Sequence, residues 1–439
     1  MVHSQKRWAS LVAVAGVAVL ALAGCSSSGS SPSSSASGGG ADETFKSLDC
    51  ASGTTSATTL KVGTLLPTTG TLAFLGPPEI SGVGLATADI AAAGDSACNL
   101  WTDSGDSNDM SVSSASADRL INEKVSFVIG AASSSVSLNV VDKLTKSASP
   151  IVQISPANTA AKLSGYSSFY FRTAPPDTVQ GSALGQLITS DGNAKVAFLV
   201  FNDAYGTGLR DVIQKTVEDA GGSITYGAEG ASQEFPPGQT TFSSEVTAAK
   251  ASNPDAIVVI AFDETKSIIP ELQAQGWDMS KIYMTDGNTS DYGKDFQAGT
   301  LKGAQGTIPG ANPADDFKKR ASAWHKQVEG SELSDYSYAA ESYDATILAG
   351  LAAIKGGATD PATIQANLHA VSGANGGEEC TSYAACKALL KDGKDIQYKG
   401  VSGAGPFNDK NDPSSAFIGI YKYDENNKPI WQSAVEGKS

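Results

Sequence analysis

The chain has 439 residues, of which 41% are hydrophobic and 18% charged, and its formal net charge is −15. That length suits two ordinary domains with real cores, and the acidic balance makes nucleic acid and anionic membrane surfaces poor partners. Only His3, His325 and His369 are present, which leaves little for histidine catalysis or a histidine-rich metal site.

The N-terminus carries Lys6 and Arg7, then an apolar run from Leu11 to Leu22 that is short for a membrane span. It ends Leu22-Ala23-Gly24-Cys25, which resembles the bacterial lipobox, where a cysteine receives diacylglycerol and the chain is cut before it. Residues 1–24 are therefore expected to be a lipoprotein signal peptide and Cys25 the lipidated residue. Residues 25–59 then form a tether and lead-in. Ser26 to Gly40 is nearly all Ser and Gly, a flexible composition, and Asp42 to Thr59 reads as a loosely packed polar approach. Four cysteines remain, and export into an oxidising compartment favours two disulfides. Of the three possible connectivities, the pairing near in sequence, Cys380–Cys386, leaves Cys50–Cys98. A zinc site fits less well, because Cys-x5-Cys is wide and no histidine lies nearby.

Leu60–Leu66 is the first expected strand, stopped by Pro67-Thr68-Thr69-Gly70. A loop over 72–76, a small-residue helix over Ile80–Ala93, a short strand at 99–102 and a helix over Ala115–Asn122 follow. Val125–Gly130 is a buried strand that breaks at Gly130 into Ser133-Ser134-Ser135. Val136, Val140, Val141 and Leu144 then recur at helical spacing, and Ile151–Ile154 is another strand. This is a βαβ unit with hydroxyls where strand becomes helix. The unpaired N–H groups of a helix N-terminus suit an anionic group; alternatively Ser134 or Ser135 simply caps its helix. Phe169–Arg172 is a strand ended by Pro175-Pro176. The pattern restarts with helix 178–190, strand Lys195–Phe201, helix 207–220, strand 223–227, helix 242–250, strand Asp255–Phe262, helix 266–275 and strand 281–285. Helices over 314–328, 336–355 and 363–368, a helical excursion over Cys380–Lys391 and a strand at Phe417–Tyr423 complete the reading. Apolar strands alternating with helices indicate an α/β fold with parallel-rich sheets, too many strands for one open sheet.

Several segments together resemble the type I periplasmic substrate-binding proteins of ABC importers, in the branched-chain amino-acid branch. They are Val62-Gly63 through Gly70; Val125 to Ser135; Ile154 to Thr159; Tyr170 to Asp177; Asp203-Ala204-Tyr205-Gly206; Tyr343-Asp344-Ala345; and Lys399 to Gly403 through Phe407-Asn408-Asp409. The resemblance implies two hinge-linked Rossmann-like lobes with ligand in the cleft between them. The first would span 60–174 plus 309–402, the second 175–308 plus 403–439. Carried over residue by residue, Ser134 would bind an α-carboxylate, and Ala157 and Thr159 would contact the ligand's backbone groups. Tyr205 would close from the second lobe, Asp286 would pair the α-ammonium, and Leu75 would pack on the ligand side chain. Phe262 falls near a family tyrosine, keeps the ring without the hydroxyl, and serves equally well as plain core. Asp286 stands where a longer Glu is common.

The resemblance thus implies a lipid-anchored, non-enzymatic receptor on the extracytoplasmic face. It would capture an amino acid, branched-chain or similar, and hand it to an ABC permease, with no cofactor and no metal. The same frame also suits a short amide, urea or an aromatic acid, or a ligand sensor. An exported hydrolase is disfavoured, since no Gly-x-Ser-x-Gly elbow occurs.

Overall fold

Residues 43–50, 55–107 and 109–439 are described by a computed structural model of the chain. The expected signal peptide, Cys25 and most of the tether lie outside the described residues. In chain order the first elements are β1 (Leu60–Leu65), α1 (Gly76–Ala92), β2 (Ala97–Leu100), α2 (Met110–Asn122), β3 (Phe127–Gly130), α3 (Ser134–Thr145), β4 (Val152–Ser155) and β5 (Tyr170–Arg172). Next come α4 (Asp177–Ser190), β6 (Lys195–Val200), α5 (Ala204–Asp219), β7 (Ser223–Tyr226), α6 (Ser243–Ala251), β8 (Ala256–Ile260), α7 (Thr265–Ala274), β9 (Ile282–Met284) and β10 (Gln305–Pro309). The chain ends with α8 (Asp315–Val328), α9 (Ala339–Gly356), α10 (Pro361–Ser372), β11 (Glu378–Cys380), α11 (Tyr383–Lys391), β12 (Ile396–Tyr398), β13 (Ser415–Tyr423) and β14 (Pro429–Lys438).

The strands form two large sheets. One, ordered β2-β1-β3-β4-β5, is parallel throughout. The other, ordered β14-β13-β10-β9-β8-β6-β7, is parallel from β10 to β7 and antiparallel at β13 and β14. Their central strands are buried on both faces, as the unbroken apolar runs at β3 and β8 require. The chain crosses between the two lobes after β5, after β10 and after β12. Helices α8 to α10 follow β10 in sequence but pack back on the first lobe, where Trp324, Ile347 and Leu351 share a core with Val62, Phe127 and Ile154.

Register places the site. In the first sheet Leu65 pairs with Gly130, and Ile129 with Ile154, so β1, β3 and β4 end level with one another. The segments after them therefore emerge at one carboxyl edge, the usual ligand position in such sheets.

Several elements differ from the sequence reading. The described part of the lead-in is docked, not loose: Phe45 is buried in the first lobe's core, Asp49 bridges to Asn99, and Cys50 is bonded to Cys98. Cys380–Cys386 is bonded as well. It joins β11 to α11 in a small βαβ unit closed by the parallel pair β11–β12, where a helix alone was expected. Helix α2 begins at Met110, earlier than Ala115, because the Asp109 carboxylate accepts from Ser111 N at 3.0 Å and caps it. Strands β10 and β14 were not expected at all.

Candidate functional site

The turn after β3 is built on Gly130. Its φ is +123°, and a Cβ there would lie 2.0 Å from Leu65 O, so only glycine lets the chain pass β1 at this point. Ser133, not Ser134 or Ser135, caps α3: its Oγ accepts from Val136 N at 3.3 Å. That frees the next two hydroxyls for other work. Ser134 Oγ accepts from Ala160 N at 3.2 Å, and Ser135 Oγ accepts from Ala204 N, in the second lobe, at 3.3 Å.

The neighbouring turn after β4 is locked to this one. Ser155 Oγ donates to Ala131 O (2.7 Å) and accepts from Asn158 N (2.9 Å), while Asn158 Nδ2 donates to Ala132 O (2.7 Å). Arg172 Nη1 holds the Asn158 and Ala160 carbonyls at 3.2 and 3.0 Å. Ala157 and Thr159 are thus presented by a turn whose backbone groups are committed elsewhere.

From the second lobe, Asp203 caps α5 by accepting from Tyr205 N at 2.9 Å, and its other oxygen accepts from Ser107 Oγ of the first lobe at 2.7 Å. Tyr205 lies nearly parallel to Phe262, with ring centroids 5.8 Å apart and planes at 14°, and both pack against Phe201. Asp286 follows β9. Its Oδ1 accepts from Tyr205 Oη at 2.7 Å and its Oδ2 from Tyr338 Oη at 2.6 Å. Burial raises the Asp286 pKa, and the two phenol hydrogen bonds pull against it.

Leu75, Ser134, Ala157, Tyr205, Phe262 and Asp286 line one cavity, together with Leu72, Gly287 and Tyr338. Thr159 does not line it and lies behind. The space left free is about 10 Å³, room for roughly one water. Contacts from Ser107, Ser135 and Tyr338 to the second lobe hold the two sides together. Admitting anything the size of an amino acid requires the lobes to part.

Sequence reasoning missed Tyr338 and Asp177. Tyr338 has a left-handed φ of 59° and stands just before α9, where the pattern suggested uninterrupted helix. Asp177 follows Pro175-Pro176 and entered the sequence reading only as the last residue of a segment that resembles the family. Its two carboxyl oxygens are buried without a hydrogen-bond partner, as are Thr159 Oγ1 and Gln180 Oε1. Burial pushes the Asp177 carboxyl up to about 8. The Thr159 hydroxyl is near enough to hold it down, though outside the geometry of a formed bond, and the neighbouring Asp286 and Asp203 raise it further. One signal was available: an acid at the first position of a helix that begins where the chain changes lobes. Among the described residues no group of His, Cys, Asp and Glu is arranged to hold a metal, and no helix is long and apolar enough to cross a membrane.

Comparison with known proteins agrees with this architecture. The chain is 31% identical over 176 residues to the leucine-, isoleucine-, valine-, threonine- and alanine-binding protein of Pseudomonas aeruginosa; the match covers 39% of this chain and 46% of that one, less than half its length. Its fold matches the branched-chain amino-acid transporter substrate-binding protein of Streptococcus pneumoniae in complex with isoleucine (TM-score 0.66, 22% identity, 87% of this chain and 100% of that one). It also matches a solute-binding protein of an ABC transporter from Rhodopseudomonas palustris HaA2 in complex with p-hydroxybenzoic acid (TM-score 0.66, 17% identity, 87% and 98%). The family described as periplasmic binding protein matches residues 59–385, three quarters of the sequence and most of both sheets. With two parallel-rich sheets, three crossings and a cavity between the facing strand ends, the chain belongs to the periplasmic binding protein family.

Proposed function

We propose that this protein captures an α-amino acid, branched-chain or similar, by closure of its two lobes and delivers it to an ABC permease. One observation carries the reading. The buried carboxyl of Asp286 lines the cavity and is held by phenols on opposite sides of the cleft, and outside the cavity lining the Asp177 carboxyl is buried without a formed hydrogen bond, within electrostatic reach of Asp286. Buried acceptors without donors are costly. A ligand ammonium supplies three N–H donors and a positive charge at that place. The hydroxyl-rich start of α3 suits the carboxylate of the same ligand. In this reading Ser134 and Ala157 meet the carboxylate end, Asp286 and Tyr205 the ammonium end, and Leu75 and Phe262 the side chain. Thr159 acts from behind, through Asp177.

The parallel rings of Tyr205 and Phe262 favour a second reading, a flat aromatic acid. Such a ligand satisfies the carboxylate end but leaves Asp286 and Asp177 without a cation. A thermal-shift screen of the mature protein against amino acids, amides, urea and aromatic acids separates the two. At a hundredfold excess over Kd, binding adds about 2.7 kcal/mol of apparent stability. The expected result is a rise in melting temperature with an aliphatic α-amino acid. A rise with benzoates or a neutral amide, and none with any amino acid, refutes the zwitterion assignment.

We also propose that Cys25 carries the lipid that holds the protein at the outer face of the membrane. Cys25→Ala is expected to move the protein from the membrane fraction to the soluble fraction. Retention in the membrane fraction contradicts the anchor.

A further inference from the structure

A second cavity, of about 470 Å³, lies where the chain crosses between lobes, walled by the end of β10, β13, the start of β14 and the segment before α9. It meets the amino-acid cavity only at Tyr338, which lines both. Four aromatic residues surround it: Tyr336, Tyr338, Tyr421 and Trp431, the last two packed edge to face at 5.5 Å.

Its acids differ in one respect. The Asp335 carboxylate is committed to the Ser337 N–H and hydroxyl at 2.8 and 2.7 Å, and Asp291 is paired with Lys428 at 3.3 Å. Glu341 is only 4% exposed, and no other residue donates a hydrogen bond to its carboxyl among the described residues. The chain leaves room for that group, since a Cβ on Gly310 would lie 2.4 Å from Glu341 Oε1. Burial pushes the Glu341 carboxyl up to about 8, so near neutral pH it holds a proton until a cation arrives. Burial, Asp335 and Glu341 together hold the Tyr421 phenol up, which places both acids within electrostatic reach of its ring.

We propose that this cavity is a second ligand site, separate from the amino-acid clamp, that takes a small organic amine: the ammonium on Glu341 and the hydrocarbon body among Tyr336, Tyr421 and Trp431. A buried carboxyl to which no other residue donates and a set of aromatic faces are the two elements by which proteins recognise organic cations. The one lining cation without an acid partner, Lys318, is bonded to Asn312 and lies 6.0 Å from the Tyr336 ring. It makes an anion the competing ligand.

The test is calorimetric titration of the mature protein with phenethylamine and, separately, with 3-phenylpropionate, which has a similar body and the opposite charge. Saturable binding of phenethylamine at one site per chain is expected. Glu341→Gln should weaken it at least about tenfold, and Asp286→Asn should change it less than about twofold. Should Glu341→Gln fail to fold, Trp431→Ala, on the half-exposed wall, carries the same expected loss. No saturable heat up to about 10 mM amine, equal affinity in Glu341→Gln, or tighter binding of 3-phenylpropionate overturns the proposal. Loss of amine binding in Asp286→Asn with retention in Glu341→Gln does so too, and assigns the amine to the clamp. Because the clamp is read by amino-acid binding, either assignment can fail without the other.

Discussion

Replacing Asp286 by Asn is expected to weaken amino-acid binding at least tenfold, about 1.4 kcal/mol, while leaving the protein folded. Asn keeps a carbonyl to accept from one of the two phenols, and its volume is the same, so packing around Tyr205, Phe262 and Tyr338 should survive. On the proposed function, what is lost is the negative charge opposite the ammonium. In a site this buried that charge acts through a poor dielectric and without competition from water. An isothermal titration showing an unchanged Kd removes Asp286 from the ligand shell. On the same proposal, Asp177 should make binding sensitive to pH. With its carboxyl pushed up to about 8, Asp177 carries a proton at pH 6 and 7. An arriving ammonium favours the ionised form, so binding releases that proton. Affinity for an α-amino acid should therefore rise with pH from about 6 to about 8 and level off above. A neutral amide should show no such rise. A flat profile for the amino acid would place the ammonium away from Asp177.

The second large effect lies in stability. Asp412→Ala should cost about 3–5 kcal/mol, read as a lower midpoint in chemical denaturation. Arg172 is fully buried and Asp412 nearly so, with Arg172 Nε donating to Asp412 Oδ1 at 2.6 Å. Removing the carboxylate leaves a guanidinium in the interior with only carbonyls and the Ser164 hydroxyl as partners. Surface pairs such as Lys215–Asp219, whose side chains are 74% and 65% exposed, should lose almost nothing on the same treatment. A cost below about 1 kcal/mol for Asp412→Ala would show that the guanidinium finds water or another acceptor. Because Arg172 also holds the turn that presents Ala157 and Thr159, ligand affinity should fall together with stability.

Much of the scaffold was legible because burial on both faces writes a plain signal. Runs such as Phe127-Val128-Ile129 and Ile257-Val258-Val259-Ile260 fit few alternatives to a parallel strand. The order of turns and small motifs then pointed to a family. Strand β10 was hidden because its five residues, Gln-Gly-Thr-Ile-Pro, include both common breakers. It is a strand because β9 and β13 hold it from either side. Strand β14 is largely exposed and owes its form to pairing along β13, so neither burial nor alternation marks it. The site divides in the same way. Ser134, Ala157, Tyr205 and Asp286, which line the cavity, lie in local turn motifs and could be named in advance as candidates. Tyr338 reaches Asp286 across 52 positions of sequence, and the meaning of Asp177 comes wholly from having no partner. Neither property is visible until the chain is folded. The choice of capping serine failed for a smaller reason: three adjacent hydroxyls offer equal chemistry, and backbone angles alone select Ser133.

The bond between Cys50 and Cys98 has a mechanical consequence. Residues 43–49 lead to Cys50, which is tied to β2, the outer strand of the first sheet. Without that bond the segment would be held by the buried Phe45 ring, the Glu43–Arg320 ion pair, the Asp49–Asn99 bridge and a few hydrogen bonds, contacts that can yield one at a time when tugged. The covalent link passes the load instead into the first sheet as a whole. A pull from the N-terminal side is thus borne by one lobe, and the other is left unloaded to swing on the three crossings.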